Sequence, residues 1–192
     1  MKNLSKQNYD NSSISSLKGA ERVRARPGVI FGSDGLDGCC HSFFEILSNS
    51  IDEAREGYGN LIEVTHYKNG SITVEDHGRG IPVGYNEKEQ RYNWELIFCE
   101  MYAGGKYNNN SGENYEYSLG LNGLGACATQ YSSEFMDAEI RRDGFIYRLH
   151  FEKGENVGGL TEEPTRFKAT GTKITWRPDI DVFTDIDIPA EY

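Results

Sequence analysis

Three polar residues with helical spacing could act on water and on a metal ion. His41, Glu45 and Asn49 follow one another at intervals of four residues, so on a helix they lie one turn apart on the same side. A carboxylate held by an imidazole can accept a proton from water, and an amide oxygen such as that of Asn49 is a suitable ligand for Mg²⁺. Taken alone, the same stripe is more typical of the solvent-facing side of an ordinary helix.

A second polar group comes where a strand is expected to end. Residues 61–76 alternate on both sides of an Asn69-Gly70 pair, which predicts a β-hairpin, and the second strand leads directly into Asp76 and the glycines Gly78 and Gly80. A strand-end carboxylate can accept a hydrogen bond from an exocyclic amine such as N6 of adenine. The glycines let the backbone approach a flat ring. For this segment alone, an ordinary strand-to-loop turn is the alternative.

Two glycine-rich segments could hold phosphate groups. Gly104 and Gly105 precede Lys106, and residues 120–125 read Gly-Leu-Asn-Gly-Leu-Gly before a short helix expected over 126–131. Backbone N–H groups at such a position bind phosphates. The residue after Lys106 is neither Ser nor Thr, which excludes a Walker A loop. A flexible loop capped by glycines is the alternative for these segments alone.

The elements that must position these groups follow from the pattern of apolar residues. The sequence predicts helices over 40–56, 94–102 and 126–131, and strands over 61–67, 71–76, 135–141, 145–152 and 172–177. Residues 1–16 are expected to be a flexible arm, 103–125 a long loop and 179–192 an acidic tail. This order predicts an α+β fold. We expect a two-layer sandwich with a mixed, mostly antiparallel sheet and helices on one face.

Composition excludes several classes of protein. The chain has 192 residues and a formal net charge of −10, so by itself it is poorly suited to wrap nucleic acid. Its 37% of hydrophobic residues is sufficient for a packed core. No apolar run approaches the roughly 20 residues that span a bilayer, and the polar start does not resemble a secretory signal. The four cysteines form no CxxC pair, which predicts free thiols in a reducing cytoplasm.

Together, these groups supply all the parts of an ATP site. They offer a base, a metal ligand, an acceptor for adenine and a phosphate cradle, and a late Thr172 after Gly171 adds a small polar group beside them. The interpretation requires Glu45, Asn49 and Asp76 to face one cleft.

At these residues the chain resembles the N-terminal ATPase domain of type IIA DNA topoisomerase B subunits, those of gyrase and topoisomerase IV. These domains belong to the GHKL, or Bergerat-fold, ATPases. The resemblance runs in the family's order over nearly the whole chain, and the matching stretches are 9–14, 23–28, 44–54, 74–83, 102–106, 120–125 and 171–172. It does not separate gyrase from topoisomerase IV.

The resemblance implies a role for each polar group. Glu45 would be the general base, with His41 as its orienting partner. Asn49 would bind Mg²⁺, and Asp76 would accept from adenine N6. The other nucleotide-binding positions that the resemblance implies are Tyr9, Glu53, Arg79, Gly80, Ile81, Pro82, Lys106, Tyr115, Gly120, Leu121, Asn122, Gly123, Leu124, Gly125, Ala126 and Thr172.

The resemblance also implies how some of these positions cooperate. Thr172 and Gly80 would assist at the adenine through water. Lys106 and residues 120–126 would belong to a phosphate-binding lid, and residues 1–16 to an arm that crosses to a second subunit. In the family, ATP dimerises two such domains into a gate, and hydrolysis is coupled to DNA strand passage and a change of supercoiling.

Partners and inhibitors are implied in the same way. Arg79, Pro82 and Arg142 fall where the family holds aminocoumarin inhibitors, although in sequence terms Arg142 is a residue of a surface hairpin turn. The A-type subunit, DNA and a second B subunit would be partners of the full-length enzyme. The family's transducer domain is expected to be missing, so residues 17–192 are expected to be an excised, monomeric ATP-binding domain.

Some features depart from the family pattern and leave alternatives open. Asn122 replaces a usual histidine, the lid carries extra residues over 108–114, Glu116 stands where a lysine is common, and Phe31 ends a block that usually reads Met-Tyr-Ile. Another GHKL protein remains an alternative, such as a MutL-type repair ATPase, a sensor histidine kinase or a heat-shock chaperone. So does a module that binds nucleotide but hydrolyses little of it.

Overall fold

The computed structural model describes residues 19–101 and 125–189. Its helices are α1 (Ala20–Ala25), α2 (Pro27–Phe31), α3 (Leu36–Arg55), α4 (Asn93–Phe98) and α5 (Gly125–Tyr131). Its strands are β1 (Ile62–His66), β2 (Ile72–Asp76), β3 (Tyr85–Asn86), β4 (Arg91–Tyr92), β5 (Ser133–Arg142), β6 (Phe145–Glu152), β7 (Glu155–Pro164) and β8 (Gly171–Pro178). The predictions for the arm over residues 1–16 with Tyr9, for Lys106, for Tyr115 and for residues 120–124 lie outside the described residues.

The main sheet has six strands in the order β1-β2-β8-β5-β6-β7, and the pairings between its described strands are antiparallel. β3 and β4 form a separate small hairpin. The strand nearest the end of the chain, β8, lies between β2 and β5 in the centre of the sheet. The predicted α+β fold with a mostly antiparallel sheet is confirmed.

Both predicted hairpins form. β1 and β2 pair with Ile62 opposite Asp76, so the hairpin register places the carboxylate at the end of the strand. In the second hairpin, Arg142 is the last residue of β5, opposite Phe145, and the turn consists of Asp143 and Gly144. The prediction that Arg142 belongs to the turn is therefore wrong, because the strand extends one residue further than predicted and includes Arg142.

The long helix α3 is more buried than its sequence suggests. It begins at Leu36, earlier than the predicted residue 40. Its buried residues include Ser48 and Asp52, which the amphipathic pattern places on the polar side. The hydroxyl of Ser48 donates to the carbonyl of Glu45 at 3.1 Å. Because its hydrogen bond is made inside the protein, burial of this small polar group costs little free energy. Within the stripe itself, Asn49 is exposed whereas His41 and Glu45 are half-buried, so the stripe is not wholly solvent-facing.

Helix α4 ends at Phe98 instead of continuing to the predicted residue 102. The hydroxyl of Tyr131 in α5 donates to the carbonyl of Cys99 at 2.5 Å, which satisfies an acceptor at the helix end. Phe98 itself is fully buried. The last residue of α5 is thereby tied to the end of α4.

The core lies between the helices and one face of the sheet. Its largest buried side chains are Trp176, Phe98, Phe151, Phe183, Met136 and Ile140. On β8 the residues alternate, with Thr172, Ile174 and Trp176 buried and the residues between them partly exposed, so one face of this strand carries the core. The four cysteines are free, as predicted.

Residues 179–189, called here the strap, are packed against the domain. The sequence predicts an acidic tail from residue 179, but Val182, Phe183 and Ile188 are buried. Asp179 is also buried, and one of its oxygens lies 2.5 Å from the guanidinium of Arg24. The tail prediction is wrong for the strap because three apolar side chains and a buried ion pair hold it in place.

Candidate functional site

One cavity of about 550 Å³ lies between α3, the strand ends of β2 and β8, α4 and the start of α5. Its size falls within the range of ligand pockets, roughly 300–1,000 Å³. Glu45, Asn49 and Asp76 all line it, so the three side chains share one cleft. The other predicted site residues that line it are Glu53, Arg79, Gly80, Ile81, Pro82, Gly125, Ala126 and Thr172.

Asp76 is the buried acceptor at one end of the cavity, with 7% of its surface exposed. Its Oδ2 accepts from the hydroxyl of Ser50 at 2.9 Å. Its Oδ1 accepts from the backbone N–H groups of Gly78 at 3.0 Å and Thr172 at 3.2 Å. Two carboxylate oxygens offer about four acceptor positions, so one remains for an incoming donor. The role of Ser50 has no local sequence signal, since its partner is 26 positions away.

The backbone after Asp76 is held tightly against the end of β8. Thr172 Oγ1 accepts from the backbone N–H of Ile81 at 3.1 Å, and Arg142 donates to the carbonyl of Gly80 at 2.8 Å. Gly80 has φ +78°, and a Cβ there would lie 2.6 Å from the carbonyl oxygen of Arg141. Only glycine fits this position without moving the strand. Thr172, Arg142 and Gly80 therefore fix one wall of the cavity.

Arg79 at the cavity mouth is held by two carboxylates and a ring. It makes a two-pronged contact with Glu53, with Nε–Oε1 and Nη2–Oε2 both at 2.8 Å, and a further contact with Glu56 at 2.7 Å. Its guanidinium lies 3.7 Å from the centroid of the Tyr58 ring. The hydrogen bond from Arg79 lowers the pKa of the Glu53 carboxyl. Glu53 is thus the ionised anchor of Arg79.

The histidine-carboxylate pair lies on α3, where Glu45 comes five residues, or about 7.5 Å along the helix axis, before the Ser50 that contacts Asp76. His41 Nε2 lies 3.1 Å from Glu45 Oε1, and His41 Nδ1 lies 3.1 Å from the carbonyl oxygen of Phe31. Because a carbonyl can only accept, Nδ1 carries a hydrogen, and Nε2 donates to the Glu45 carboxylate when the ring carries its second proton. His41 does not line the cavity but lies behind Glu45, which it holds in place.

The amide of Asn49 is oriented by the helix that carries it. Asn49 Nδ2 donates to the backbone carbonyl of Glu45 at 3.0 Å, which leaves its Oδ1 available as a metal ligand. Gly125 begins α5 so close to Glu45 that a Cβ there would lie 2.2 Å from Oε2. The start of α5 therefore comes directly beside the carboxylate, as a glycine-rich phosphate cradle requires.

An apolar wall completes the cavity. Its members were not among the predicted site residues, and they are Ile46, Val74, Leu96, Ile97, Phe98 and Ile174. Their periodicity indicates a core position, and nothing in the sequence distinguishes a core residue from one that faces a cavity. An apolar slot with a buried acceptor at its end suits a flat, polar-edged ring such as adenine.

The described residues contain neither a cluster of metal-binding side chains nor a membrane-spanning helix. Over 19–101 and 125–189 no group of three or more His, Cys, Asp and Glu side chains could hold a metal ion. In the same part of the chain no helix is both long and apolar enough to cross a membrane.

Comparison with known proteins identifies the family. Residues 36–182 match the family described as "Histidine kinase-, DNA gyrase B-, and HSP90-like ATPase". The chain belongs to this ATPase family. Membership of an ATPase family implies that the chain binds ATP, and the predicted GHKL membership is confirmed.

Individual relatives match the chain over nearly its whole length. The B subunit of DNA topoisomerase 4 from Staphylococcus aureus strain Mu50 is 42% identical over 181 residues, which is 94% of this chain and 27% of that protein. The protein of the same name from strain MW2 gives the same values. The chain thus spans about a quarter of the length of these relatives.

A solved structure shares the fold. It is the 43K ATPase domain of Thermus thermophilus gyrase B in complex with an aminocoumarin, with 34% identity and a TM-score of 0.73 over 91% of this chain and 43% of that one. The GHKL fold predicted from the sequence is therefore the fold of this chain.

Proposed function

We propose that this chain is the ATP-binding and ATP-hydrolysing domain of a type IIA DNA topoisomerase B subunit. The observation that carries the proposal is that Asp76, Asn49 and Glu45 line one cavity. The candidate base, Glu45, lies five residues before Ser50, which contacts the candidate adenine acceptor Asp76. The likeness to the topoisomerase 4 relatives and to the gyrase B ATPase domain supports the class of enzyme.

At the adenine end, the chain's own groups would select the base. Asp76 retains one acceptor position for the exocyclic amine, and Thr172 and Gly80 would assist through water. The apolar wall would hold the ring, as flat aromatic groups are held in most cofactor sites. Arg79 with Glu53, Ile81 and Pro82 would border this end.

At the hydrolytic end, Glu45 would accept a proton from the attacking water, and His41 would hold the carboxylate in place. Asn49 would bind Mg²⁺ through Oδ1. Bound Mg²⁺ supplies neutralisation of the phosphate charge. Gly125 and Ala126 would present the start of α5 to the phosphates, together with Lys106 and residues 120–124. Tyr9 and Tyr115 would add contacts from the arm and the lid.

In the full-length protein, ATP binding would pair two B subunits into a gate, and hydrolysis would reopen it during DNA strand passage. The A-type subunit, DNA and the second B subunit are proposed partners on this basis. Arg79 and Arg142 both lie at this cavity, which supports the proposal that aminocoumarin-type inhibitors bind here.

The adenine assignment can be tested by calorimetric titration with a non-hydrolysable ATP analogue and Mg²⁺. We expect Asp76→Asn to weaken binding about 10- to 100-fold, because the new NH₂ group faces another donor and a buried donor left unpaired costs about 1–3 kcal/mol. Asp137→Asn changes an exposed carboxylate on β5 in the same way and should leave the affinity unchanged.

Two results would contradict the assignment. One is unchanged affinity in Asp76→Asn, which would place the adenine elsewhere. The other is equal weakening in Asp137→Asn, which would show an effect of charge and not of the buried contact. Wild-type protein that binds no analogue would overturn the proposed function itself.

A further inference from the structure

The hydrolytic end of the cavity is connected to the strap by a row of ring contacts. Phe183 in the strap is 1% exposed, and its ring centroid lies 5.6 Å from that of Phe31. The Phe31 ring meets the imidazole of His41 edge-on at 5.9 Å. His41 in turn contacts Glu45 at 3.1 Å. A continuous set of contacts therefore runs from the strap to the candidate base.

Phe31 holds His41 in two ways. Its ring packs against the edge of the imidazole, and its backbone carbonyl accepts the hydrogen on Nδ1 at 3.1 Å. The ring fixes where the imidazole lies, and the hydrogen bond fixes which nitrogen faces Glu45. Displacing Phe31 would change both.

The position of Phe183 is fixed on both sides. Before it, Asp179 pairs with Arg24, and the backbone N–H of Asp179 donates to Ser132 at 3.1 Å. After it, the backbone N–H of Thr184 donates to the carbonyl of Asp34 at 2.8 Å. The strap thus joins the end of β8 to the loop between α2 and α3, and Phe183 lies between these two attachments.

We propose that Phe31 and Phe183 are positioning residues for ATP hydrolysis. They hold the imidazole of His41, and through it the carboxylate of Glu45, in the orientation that accepts a proton from water. Neither residue lines the cavity, so the hydrolysis rate depends on them and nucleotide affinity does not. This inference rests on the proposed function.

The expected size of the effect follows from the geometry of proton transfer. A general base must lie within hydrogen-bond reach of the water it activates, and a displacement of about 1 Å can reduce a rate roughly 100-fold. Loss of one ring contact displaces the imidazole less than removal of the histidine. We therefore expect about a 10-fold loss of rate.

The test compares Phe31→Leu and Phe183→Leu with wild type, in the whole chain. Single-turnover hydrolysis at saturating ATP and Mg²⁺ reports the rate, and calorimetry with a non-hydrolysable analogue reports the affinity. Ile188→Ala removes buried apolar volume from the same strap and is the matched control. Imidazole NMR signals of His41, assigned by their loss in His41→Gln, report the ring directly.

The proposal predicts a rate about 10-fold lower in both phenylalanine variants, with affinity within about twofold of wild type and shifted His41 signals. Ile188→Ala should change neither the rate nor the signals. Unchanged rates, an equal loss in the control, or loss of nucleotide binding in both variants would overturn the proposal. Wild type without hydrolysis would instead overturn the proposed function, so the two failures are distinguishable.

Discussion

Glu45→Gln is expected to lower single-turnover ATP hydrolysis by about 100- to 10,000-fold, the usual contribution of a general base. The amide keeps the size of the carboxylate and a carbonyl oxygen for a contact with His41, but it cannot take a proton from water. Nucleotide affinity should stay within about twofold of wild type because the proposed adenine acceptor is a different residue, Asp76, whose contacts do not include Glu45. Phosphate release and analogue calorimetry measure the two quantities separately.

Glu139→Gln is the matched control for this experiment. Glu139 is a β5 residue that contacts Arg148 at 3.1 Å and does not line the cavity, so its hydrolysis rate should equal that of wild type. Near-normal hydrolysis in Glu45→Gln would show that the base is another group. A large loss of nucleotide affinity in the same variant would show that Glu45 serves binding instead.

The separation of binding from hydrolysis follows from the architecture. The acceptor at the adenine end is fixed by the ends of β2 and β8, through Asp76 and Thr172. The base is fixed by α2 and α3, through Phe31 and His41. Both groups also depend on α3, which carries Glu45 and contacts Asp76 through Ser50. Their other supports differ, so a side-chain change at one group can spare the other.

Local patterns were sufficient to predict the elements that carry the site. The Asn69-Gly70 pair and the alternation around it predict the β1–β2 hairpin, and the hairpin places Asp76 at a strand end. Four-residue spacing places His41 and Glu45 together on α3. These signals are visible in sequence because the partners lie within one turn or one hairpin of each other.

Features that depend on distant partners had no such signal. β8 lies between β2 and β5 in the sheet, although it is the last strand along the chain. Only long-range packing decides that strand order. Strand β7 was missed because it is an exposed edge strand with adjacent glycines at 158 and 159. The sequence does not indicate the contact between Ser50 and Asp76 because the two residues are 26 positions apart.

The strap shows most clearly that local sequence patterns do not indicate distant partners. Its acidic sequence indicates a solvated tail, but Arg24 lies 155 positions away from Asp179 and neutralises it inside the fold. Arg24 also donates to the carbonyls of Tyr131 at 3.1 Å and Ser133 at 3.3 Å. One guanidinium therefore joins α1, α5, β5 and the strap, which makes it a sensitive point for stability.

Arg24→Met is expected to destabilise the domain by about 3 kcal/mol or more, because it leaves a buried carboxylate without its principal partner. For a domain of this size that corresponds to a fall in melting temperature of roughly 10 °C. Arg148→Met removes an exposed arginine, which contacts Glu139 and Glu163, and should cost less than about 1 kcal/mol. Equal shifts in the two variants would show that the Arg24–Asp179 pair contributes no more than a surface ion pair.

The loss in Arg24→Met should also depend on pH. Burial alone would raise the pKa of the Asp179 carboxyl, but hydrogen bonds from Arg24 and from the backbone N–H of Asp181 hold it below its ordinary value. The stability that this depressed pKa contributes is present above the unfolded value of about 3.9 and is lost as pH falls through the folded value. Without Arg24, burial shifts the pKa of the same carboxyl upwards, so the variant begins to be relieved above pH 4. The difference in melting temperature between wild type and Arg24→Met should therefore be constant near neutral pH, begin to shrink on acidification above about pH 4 and continue to shrink below it. A difference that stays the same at pH 3 would show that the Asp179 charge does not account for it.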